Sequence, residues 1–342
     1  MISNAIMLGI TLFLAVVLFA GATVHDDGQH FFDMSNSNAL RGFWCLIVIL
    51  VHIPAAYQNR IQDMIGSFAY IGVTFYFMTS AYGLKMQMRK NPSVIKTFWR
   101  KRFPKLLVPC FTVNIISAIV TTITGEEVTL LTCLGINRWV MWLLVCYFFF
   151  WVSYKFKRGR YSNYVIVILV CLFSIIMYIL KKQDNTLLVW CTEIFGFIWG
   201  LFLVDIKEEL LRLARKKWIL KVTVLGCVSC ICGLCYLKFK PVEFWGDYLL
   251  KIILGLFLLV LLLFVNTKIN FGNKINAFLG RISFEVYLTH GLVFGILDNL
   301  MPGMKSAVFI LMSLLITVIL SAVEKYINQA ALTCISNFQT RN

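Results

Sequence analysis

Apolar stretches of about 18 residues or more recur along the whole chain and alternate with short polar joins. The stretches lie at residues 4–24, 40–58, 64–86, 104–124, 137–154, 162–180, 186–205, 218–237, 248–266, 282–299 and 306–323. Each is long enough to cross the ~30 Å hydrocarbon core of a bilayer as an α-helix. The pattern therefore predicts an all-α, polytopic transmembrane helical bundle of about 11 helices.

Composition agrees with a membrane protein, since 60% of the 342 residues are hydrophobic and the mean hydropathy is +0.81. The polar joins are short, which predicts one membrane domain at 34–325, with an extra helix and a short acidic loop at 1–33. The first stretch lacks the basic start of a cleaved signal peptide, so we expect it to be retained; cleavage is the alternative. A short cytoplasmic tail at 326–342 is too small for a catalytic domain. Chemistry is thus expected within or at the edge of the bilayer.

The net charge of +16 would suggest a nucleic-acid partner in a soluble protein, but here it indicates topology. Most Lys and Arg residues fall in joins on one side, such as 85–105 and 207–221. By the positive-inside rule this side is cytoplasmic, which places the N-terminus outside and the C-terminus inside. No nucleic acid is expected as a partner. The join DIKEELLRLARKKW also sets leucines beside basic residues, which predicts a short amphipathic helix at the interface.

Arg41 and His52 are the two ionisable residues of the apolar run LRGFWCLIVILVHI. At about 100° and 1.5 Å per residue they lie on one helix face, roughly 16 Å apart. Arg41 is then expected at the cytoplasmic interface and His52 near the middle of the bilayer. Polar groups at such depth usually face a cavity or a partner, which makes both residues functional candidates. The alternative is an interhelical hydrogen bond by His52 and an Arg41 side chain that extends to the lipid headgroups.

A cluster of cations lies in the segment FWRKRFPKLLVP, on the side predicted to be cytoplasmic. The cluster contains Arg100, Lys101, Arg102 and Lys105. Such a cluster is suited to an anion, and an intracellular phosphorylated cofactor would need a site on this side. The alternative is a solvated cluster that only satisfies the positive-inside rule.

Further polar groups occur within the later apolar stretches. Ser283, Tyr287 and His290 follow helical spacing and form a stripe that lines an acceptor path or joins two helices by hydrogen bonds. Glu193 has no obvious partner; an interhelical bond to Tyr, Trp or Arg and a proton relay are both open. The cysteines at 227, 230, 232 and 235 point in different directions on a helix, so no metal site is expected.

In their order along the chain, several motifs resemble those of the acyltransferase-3 family of integral membrane acyltransferases. The motifs are LRGFWCLIVILVHI with Arg41 and His52, GVTFYFMTSAYGL with Ser80, FWRKRFPKLLVP with Arg100, Arg102 and Lys105, MWLLVCYFFFW with Trp142 and Tyr147, and GRISFEVYLTHG with Ser283, Tyr287 and His290. The resemblance covers about residues 34–325 and implies a ten-helix core. Ala81 departs from the pattern, because the family usually has Gly there.

The resemblance implies transfer of an acyl group, most often acetyl, from cytosolic acyl-CoA to a hydroxyl of an envelope polysaccharide or lipid-linked sugar. It implies His52 as general base and Arg41 as the residue that orients or stabilises the donor. The basic segment would then hold acyl-CoA, while Ser80, Trp142, Tyr147, Ser283, Tyr287 and His290 would line the substrate path. Acyl-CoA is the expected donor co-substrate, with no metal, and the expected location is the bacterial cytoplasmic membrane.

Two other function classes stay open at this point. Buried His, Glu and Arg side chains would also suit a proton-linked transporter or flippase of an envelope precursor. Internal two-half similarity, which many transporters show, is not convincing in this chain. A catalytically silent scaffold is the weaker alternative, because the motifs are intact.

Overall fold

The protein is described here by a computed structural model, which covers residues 2–25, 28, 31–123, 127–156 and 160–341. The helices of this part are α1 (Ile2–Phe19), α2 (Met34–Val51), α3 (Arg60–Gly66), α4 (Tyr70–Lys90), α5 (Phe98–Ile123), α6 (Leu130–Leu134), α7 (Arg138–Phe156), α8 (Arg160–Gln183), α9 (Phe195–Arg215), α10 (Trp218–Phe239), α11 (Lys251–Asn266), α12 (Lys274–Leu300) and α13 (Ser306–Arg341). Two short strands, β1 (Thr23–Val24) and β2 (Ile269–Asn270), pair antiparallel and join the chain after α1 to the chain after α11. The predicted all-α polytopic bundle is confirmed.

Eight helical segments of the described chain are long and apolar enough to cross a membrane. They are Met34–Val51, Arg60–Lys90, Pro92–Ile123, Arg138–Phe156, Tyr161–Gln183, Trp218–Phe239, Trp245–Asn266 and Ser306–Phe338. Helices α9 and α12 are also long, but they carry more charged residues. Both helices pack against other helices through their apolar faces. Glu285 and His290 of α12 are buried in this packing, whereas the charged residues in the C-terminal half of α9 are mostly exposed.

Two parallel helix pairs form the centre of the bundle, α2 with α12 and α4 with α9. In the first pair, a Cβ atom on Gly280 would lie 2.2 Å from the carbonyl oxygen of Asn38, and one on Gly42 would lie 2.8 Å from the nitrogen of Gly280. In the second pair, a Cβ atom on Gly196 would lie 2.1 Å from the backbone oxygen of Thr74, and one on Gly200 would lie 2.1 Å from that of Met78. Small residues at such crossings let two helix backbones pack in close contact. The α2–α12 contact matters most here, because it sets Arg41 and His52 beside α12.

A Gly280→Ala substitution is expected to destabilise the bundle, because the added methyl group would overlap the Asn38 carbonyl and push α12 from α2. Overpacking of this kind costs about 1–3 kcal/mol. Gly291→Ala on the same helix is the matched control, since a Cβ there would meet nothing within 4 Å. Thermal unfolding in detergent should show a clear fall in midpoint for Gly280→Ala and little change for Gly291→Ala. Equal midpoints for the two variants would argue against the close crossing.

Three predicted boundaries differ from the structure. The stretch predicted at 186–205 is observed as α9, which begins only at Phe195 because the chain before it forms turns. The separate amphipathic helix predicted in DIKEELLRLARKKW is wrong, since α9 continues without a break to Arg215. Helix α13 likewise continues through most of the predicted tail, to Arg341. Of the predicted acidic loop, Asp26 and Asp27 lie outside the described residues.

Candidate functional site

His52 lies at the end of α2 rather than within a longer helix. The helix stops at Val51, and the backbone N–H of His52 caps it by donating to Ile49. The prediction that this helix reaches residue 58 is wrong, because Pro54 disfavours helical geometry at the residue before it and cannot donate a backbone hydrogen bond. The side chain of His52 is therefore presented at a helix end, where the chain opens.

The hydrogen bond of the His52 ring defines which nitrogen can act as a base. Nδ1 lies 2.8 Å from the carbonyl oxygen of Val48. Since a carbonyl only accepts, Nδ1 must donate its proton in this contact. In the neutral imidazole the lone pair is then on Nε2. His52 is thus oriented by its own helix with Nε2 available to accept a proton.

The parallel packing of α2 and α12 brings His290 to His52. The two ring centroids are 4.9 Å apart, and Nδ1 of His290 lies 3.3 Å from the Val286 carbonyl, the same arrangement as in His52. On the other side of His290 the Tyr287 ring is 5.8 Å away, and Trp139 packs 4.7 Å from Tyr287. Two residues from motifs far apart in the sequence therefore form one imidazole pair.

The segment after His52 is fixed to the neighbouring helices. The hydroxyl of Tyr57 donates to Asp298 at 2.6 Å, and this contact raises the pKa of Tyr57 above its ordinary value. Ser306 donates its hydroxyl to the Tyr57 carbonyl, and the Gln62 amide donates to the Leu50 carbonyl. These bonds hold the chain reversal after α2 against α12 and α13.

His52 opens into a cavity of about 280 Å³ at the end of the bundle that charge predicts to face outwards. Its lining comprises Val51, His52, Asp63, Gly66, Ser67, Ala69, Tyr70, Val73, Trp190, Glu193, Tyr236, Lys240 and Lys251. We refer to this space as the His52 cavity. The buried carboxylate of Glu193 pairs with Lys251 at 2.6 Å, so its partner is a lysine rather than the expected Tyr, Trp or Arg.

Arg41 opens into a second, larger cavity of about 990 Å³ at the opposite end of α2. We call it the Arg41 cavity; it is lined by Phe32, Met34, Ser37, Asn38, Arg41, Thr79, Tyr82, Gly83, Arg102, Lys105, Phe278, Gly280, Arg281, Ile282, Phe284, Ala322, Lys325, Tyr326 and Gln329. Five of these side chains are cationic, and one of them, Lys325, forms an ion pair with the buried Glu285 at 3.1 Å. Among the described lining residues there is no Asp or Glu. A cleft with charges of one sign attracts the opposite charge, so this cavity suits an anion.

The guanidinium of Arg41 is only partly satisfied by the protein. Its Nε is buried and has no hydrogen-bond partner among the described residues, and its Cζ lies 5.4 Å from the centroid of the Tyr76 ring. Buried donors are nearly always paired, so an unpaired one indicates a ligand or water. The rest of the guanidinium fork is directed to a cavity that suits anions, and a planar fork binds phosphate or carboxylate well.

Tyr76 lies between the two cavities. Its hydroxyl donates to the Arg41 carbonyl at 2.8 Å and is within hydrogen-bonding reach of Ser283 and the Cys45 thiol. The ring packs 6.1 Å from Trp139, which in turn contacts Tyr287. A ligand part that passes from the Arg41 cavity towards His52 therefore passes this layer.

The predicted site residues fall into three groups. Arg102 and Lys105 line the Arg41 cavity, whereas Arg100 and Lys101 are exposed and do not. Tyr147 hydrogen-bonds to Ser80, and the nearby charges of Arg102 and Arg41 place this pair towards the Arg41 cavity. The remaining residues are buried: Ser283 is in the Tyr76 layer, Tyr287 and His290 are beside His52, and Trp142 packs on Phe173 and near Trp190.

Sequence reasoning missed four basic residues that line the cavities, and also Asp63 in the His52 cavity. Arg281 and Lys325 add positive charge beside Arg41, and Lys251 and Lys240 lie in the His52 cavity. Arg281 is two residues before Ser283 in the GRISFEVYLTHG motif, so its place in that motif was the available signal. Lys325, within α13, and Lys251, at the start of α11, carried no such signal, because only tertiary packing makes these charges part of a cavity wall.

The described residues contain no group of three or more His, Cys, Asp or Glu side chains that could hold a metal ion. All the cysteines of this chain are free thiols. The ionisable side chains that line the two cavities include imidazole, guanidinium, ammonium and carboxylate groups.

A family described as an acyltransferase domain, Acyl_transf_3, matches residues 34–323. No curated protein and no solved structure matches the chain significantly. The family match spans most of the chain, from the first residue of α2 into α13, and contains both cavities' principal residues. The chain therefore belongs to the acyltransferase-3 family of membrane acyltransferases.

Proposed function

We propose that the protein transfers an acyl group, acetyl in the first instance, from cytosolic acyl-CoA to a hydroxyl of an envelope polysaccharide or lipid-linked sugar. The observation that carries this proposal is that one helix, α2, presents Arg41 to a basic cavity at one end and His52 to a separate cavity at the other. A donor and an acceptor from opposite sides of a membrane need this arrangement.

The Arg41 cavity has the size and charge for the nucleotide part of acyl-CoA. Coenzyme A carries several phosphate groups, and Arg41, Arg102 and Arg281 offer planar donor forks that bind phosphate in a bidentate manner. At about 990 Å³ the cavity lies at the upper end of the ~300–1,000 Å³ range of ligand sites. The thioester arm of acyl-CoA would extend from this cavity past Tyr76 towards His52, over roughly 16 Å of helix.

His52 is proposed to act as the general base. Its Nε2 would accept the proton of the acceptor hydroxyl while the hydroxyl oxygen attacks the thioester carbonyl carbon. The carbon–sulfur bond then breaks, the ester is released, and the thiolate of coenzyme A takes the proton from His52. The hydrogen bond of Nδ1 to Val48 supports this role, because it fixes the ring and leaves Nε2 as the proton acceptor.

Sealed membrane vesicles containing the protein test this proposal against the transporter alternative. Acetyl-CoA labelled in the acetyl group is added to the side of the Arg41 cavity. Acyl transfer predicts free coenzyme A on that side and label in a base-labile ester. Movement of an unchanged solute across the membrane without thioester cleavage would contradict the proposal and favour transport.

Neutralising the cations of the Arg41 cavity is expected to weaken donor binding. An Arg102→Gln/Lys105→Gln double variant should raise the KM for acetyl-CoA roughly tenfold or more at low salt, because each charged contact contributes about 1.5–3 kcal/mol when well formed. The effect should shrink as ionic strength rises. The matched control is Arg100→Gln/Lys101→Gln, from the same segment but outside the cavity, which should leave the KM nearly unchanged. Equal effects of the two pairs would mean that only the overall charge of the segment matters.

A further inference from the structure

The His52 cavity contains an ion pair that the proposed reaction does not use. Oε1 of Glu193 lies 2.6 Å from Nζ of Lys251, and Oε2 of Glu193 accepts the hydroxyl of Thr192 at 2.9 Å. The Lys251 ammonium also lies 4.7 Å from the centroid of the Tyr70 ring. Glu193 lies two residues before the start of α9, and Lys251 begins α11, so the pair joins the starts of two helices at the cavity wall.

Both partners keep hydrogen-bonding capacity that the described protein does not fill. A carboxylate has about four acceptor positions, and Glu193 uses two of them in its contacts with Lys251 and Thr192. The Lys251 ammonium has three donors, of which one is directed to Glu193. The pair therefore offers acceptors and donors side by side, which is the pattern that adjacent hydroxyl groups recognise.

The remainder of the cavity wall also favours a neutral, hydroxylated ligand. Asp63 and Glu193 are balanced by Lys240 and Lys251, so the wall has no excess of either charge. Tyr70 and Tyr236, with ring centroids 5.8 Å apart, and the half-buried Trp190 supply flat aromatic surfaces. Aromatic rings with polar groups close by suit a ligand that has apolar C–H faces and a hydroxyl rim. A sugar ring has both features.

The volume of the His52 cavity limits the size of the ligand that it can bind. About 280 Å³ is just below the ~300–1,000 Å³ range of ligand sites, so it accommodates one sugar residue and its immediate neighbour rather than a lipid chain. His52 lines the same space, so a hydroxyl of the bound ring can reach the base.

We propose that Glu193 and Lys251, with Trp190 and Tyr70, form the acceptor subsite, which binds a neutral sugar residue and directs one of its hydroxyls to His52. This inference rests on the proposed function and adds to it the residues and the ligand class of the acceptor side. Glu193 is a binding and positioning residue in this scheme; it takes no proton in the reaction.

Glu193→Gln and Trp190→Ala variants test the subsite with the full-length protein in sealed membrane vesicles. The acceptor probe is envelope polysaccharide of the host strain, stripped of its esters by alkali and supplied on the side of the His52 cavity. Glu243→Gln is the matched control, since Glu243 also forms an ion pair at this end, with Lys182, but lies outside the cavity. Measured quantities are the KM for the polysaccharide, the KM for acetyl-CoA and the release of coenzyme A without acceptor.

The expected result is a KM for polysaccharide raised roughly tenfold to a hundredfold in Glu193→Gln and Trp190→Ala, with the KM for acetyl-CoA and acceptor-free coenzyme A release near the wild-type values. Glu243→Gln should match the wild type in all three. An unchanged polysaccharide KM in both cavity variants would overturn the subsite. The subsite would also be overturned if Glu193→Gln lost coenzyme A release together with polysaccharide binding while Trp190→Ala kept wild-type values of all three quantities. The ion pair would then only stabilise the fold.

Two outcomes for the wild type separate this inference from the proposed function. If the wild-type protein releases coenzyme A but never esterifies the polysaccharide, the sugar subsite is wrong while acyl transfer from acyl-CoA stands. If the wild type does not cleave acetyl-CoA at all, the proposed function itself fails.

Discussion

A His52→Ala variant is expected to lose acyl transfer almost completely while it still folds and inserts. Among the described residues, His52 is the one imidazole that lines the outer cavity, and none of them forms a competing hydrogen bond with its Nε2. Loss of a general base typically lowers the rate by about 10²–10⁴-fold. Folding should persist, because the side chain is exposed to the cavity and its hydrogen bond within the described part of the chain is to the backbone of its own helix.

Mass spectrometry of envelope glycans measures this effect in cells. A strain without the chromosomal copy, complemented with His52→Ala, should lack the acyl mass that the wild-type copy restores. His25→Ala is the matched control, because His25 lies in the chain after α1 at the opposite end of the bundle and lines neither cavity. Acyl esters at the wild-type level in the His52→Ala strain would show that the base is a different group.

An Arg41→Ala variant is expected to combine a weaker donor affinity with a lower turnover. The guanidinium is directed into the basic cavity with a buried, unpaired Nε, and its ring contact with Tyr76 places it where the donor's arm would leave the cavity. Removal of a bidentate phosphate contact should raise the KM for acetyl-CoA roughly 10–100-fold. Arg41→Lys should restore part of this loss, because lysine keeps the charge but not the planar fork.

Titration of acetyl-CoA against the rate of coenzyme A release measures the Arg41 effect. Arg60→Ala is the control, since Arg60 is an exposed arginine at the start of α3, towards the other end of α2. A wild-type KM for acetyl-CoA in Arg41→Ala would mean that Arg41 serves only to pack α2 against Tyr76. Arg41 would then not be a donor-binding residue.

Hydropathy predicted the helices well because each segment that crosses a membrane must itself be apolar, wherever it packs in the bundle. The error at α9 shows the limit of this rule. Residues 186–194 are apolar enough to extend a span, but the chain there turns and sets Glu193 towards Lys251. Helix α12 was predicted at 282–299 and begins at Lys274, because the side chain of Asn273 caps it by accepting the backbone N–H of Asn276. A cap of this kind is independent of hydropathy.

The candidate site was partly predictable for a similar reason. Helical spacing places Arg41 and His52 on one face, and Ser283, Tyr287 and His290 on another. It does not predict that the two faces meet, since this depends on the glycine crossing of α2 and α12. Nor does it predict that Arg41 and His52 face different cavities. Of the four missed lysines and arginines, Lys251 and Lys325 could be assigned to a cavity only once the packing of distant helices was known.

The central claim is that the acyl group moves from a donor at the Arg41 cavity to an acceptor at the His52 cavity, on opposite sides of the membrane. Inside-out membrane vesicles test it most directly, because their cytoplasmic face is outwards and their acceptor is enclosed. Acetyl-CoA labelled in the acetyl group and added outside should give a labelled ester inside the vesicles, protected from added esterase, with all coenzyme A remaining outside. A labelled ester open to the esterase, or intact acetyl-CoA inside the vesicles, would contradict the claim.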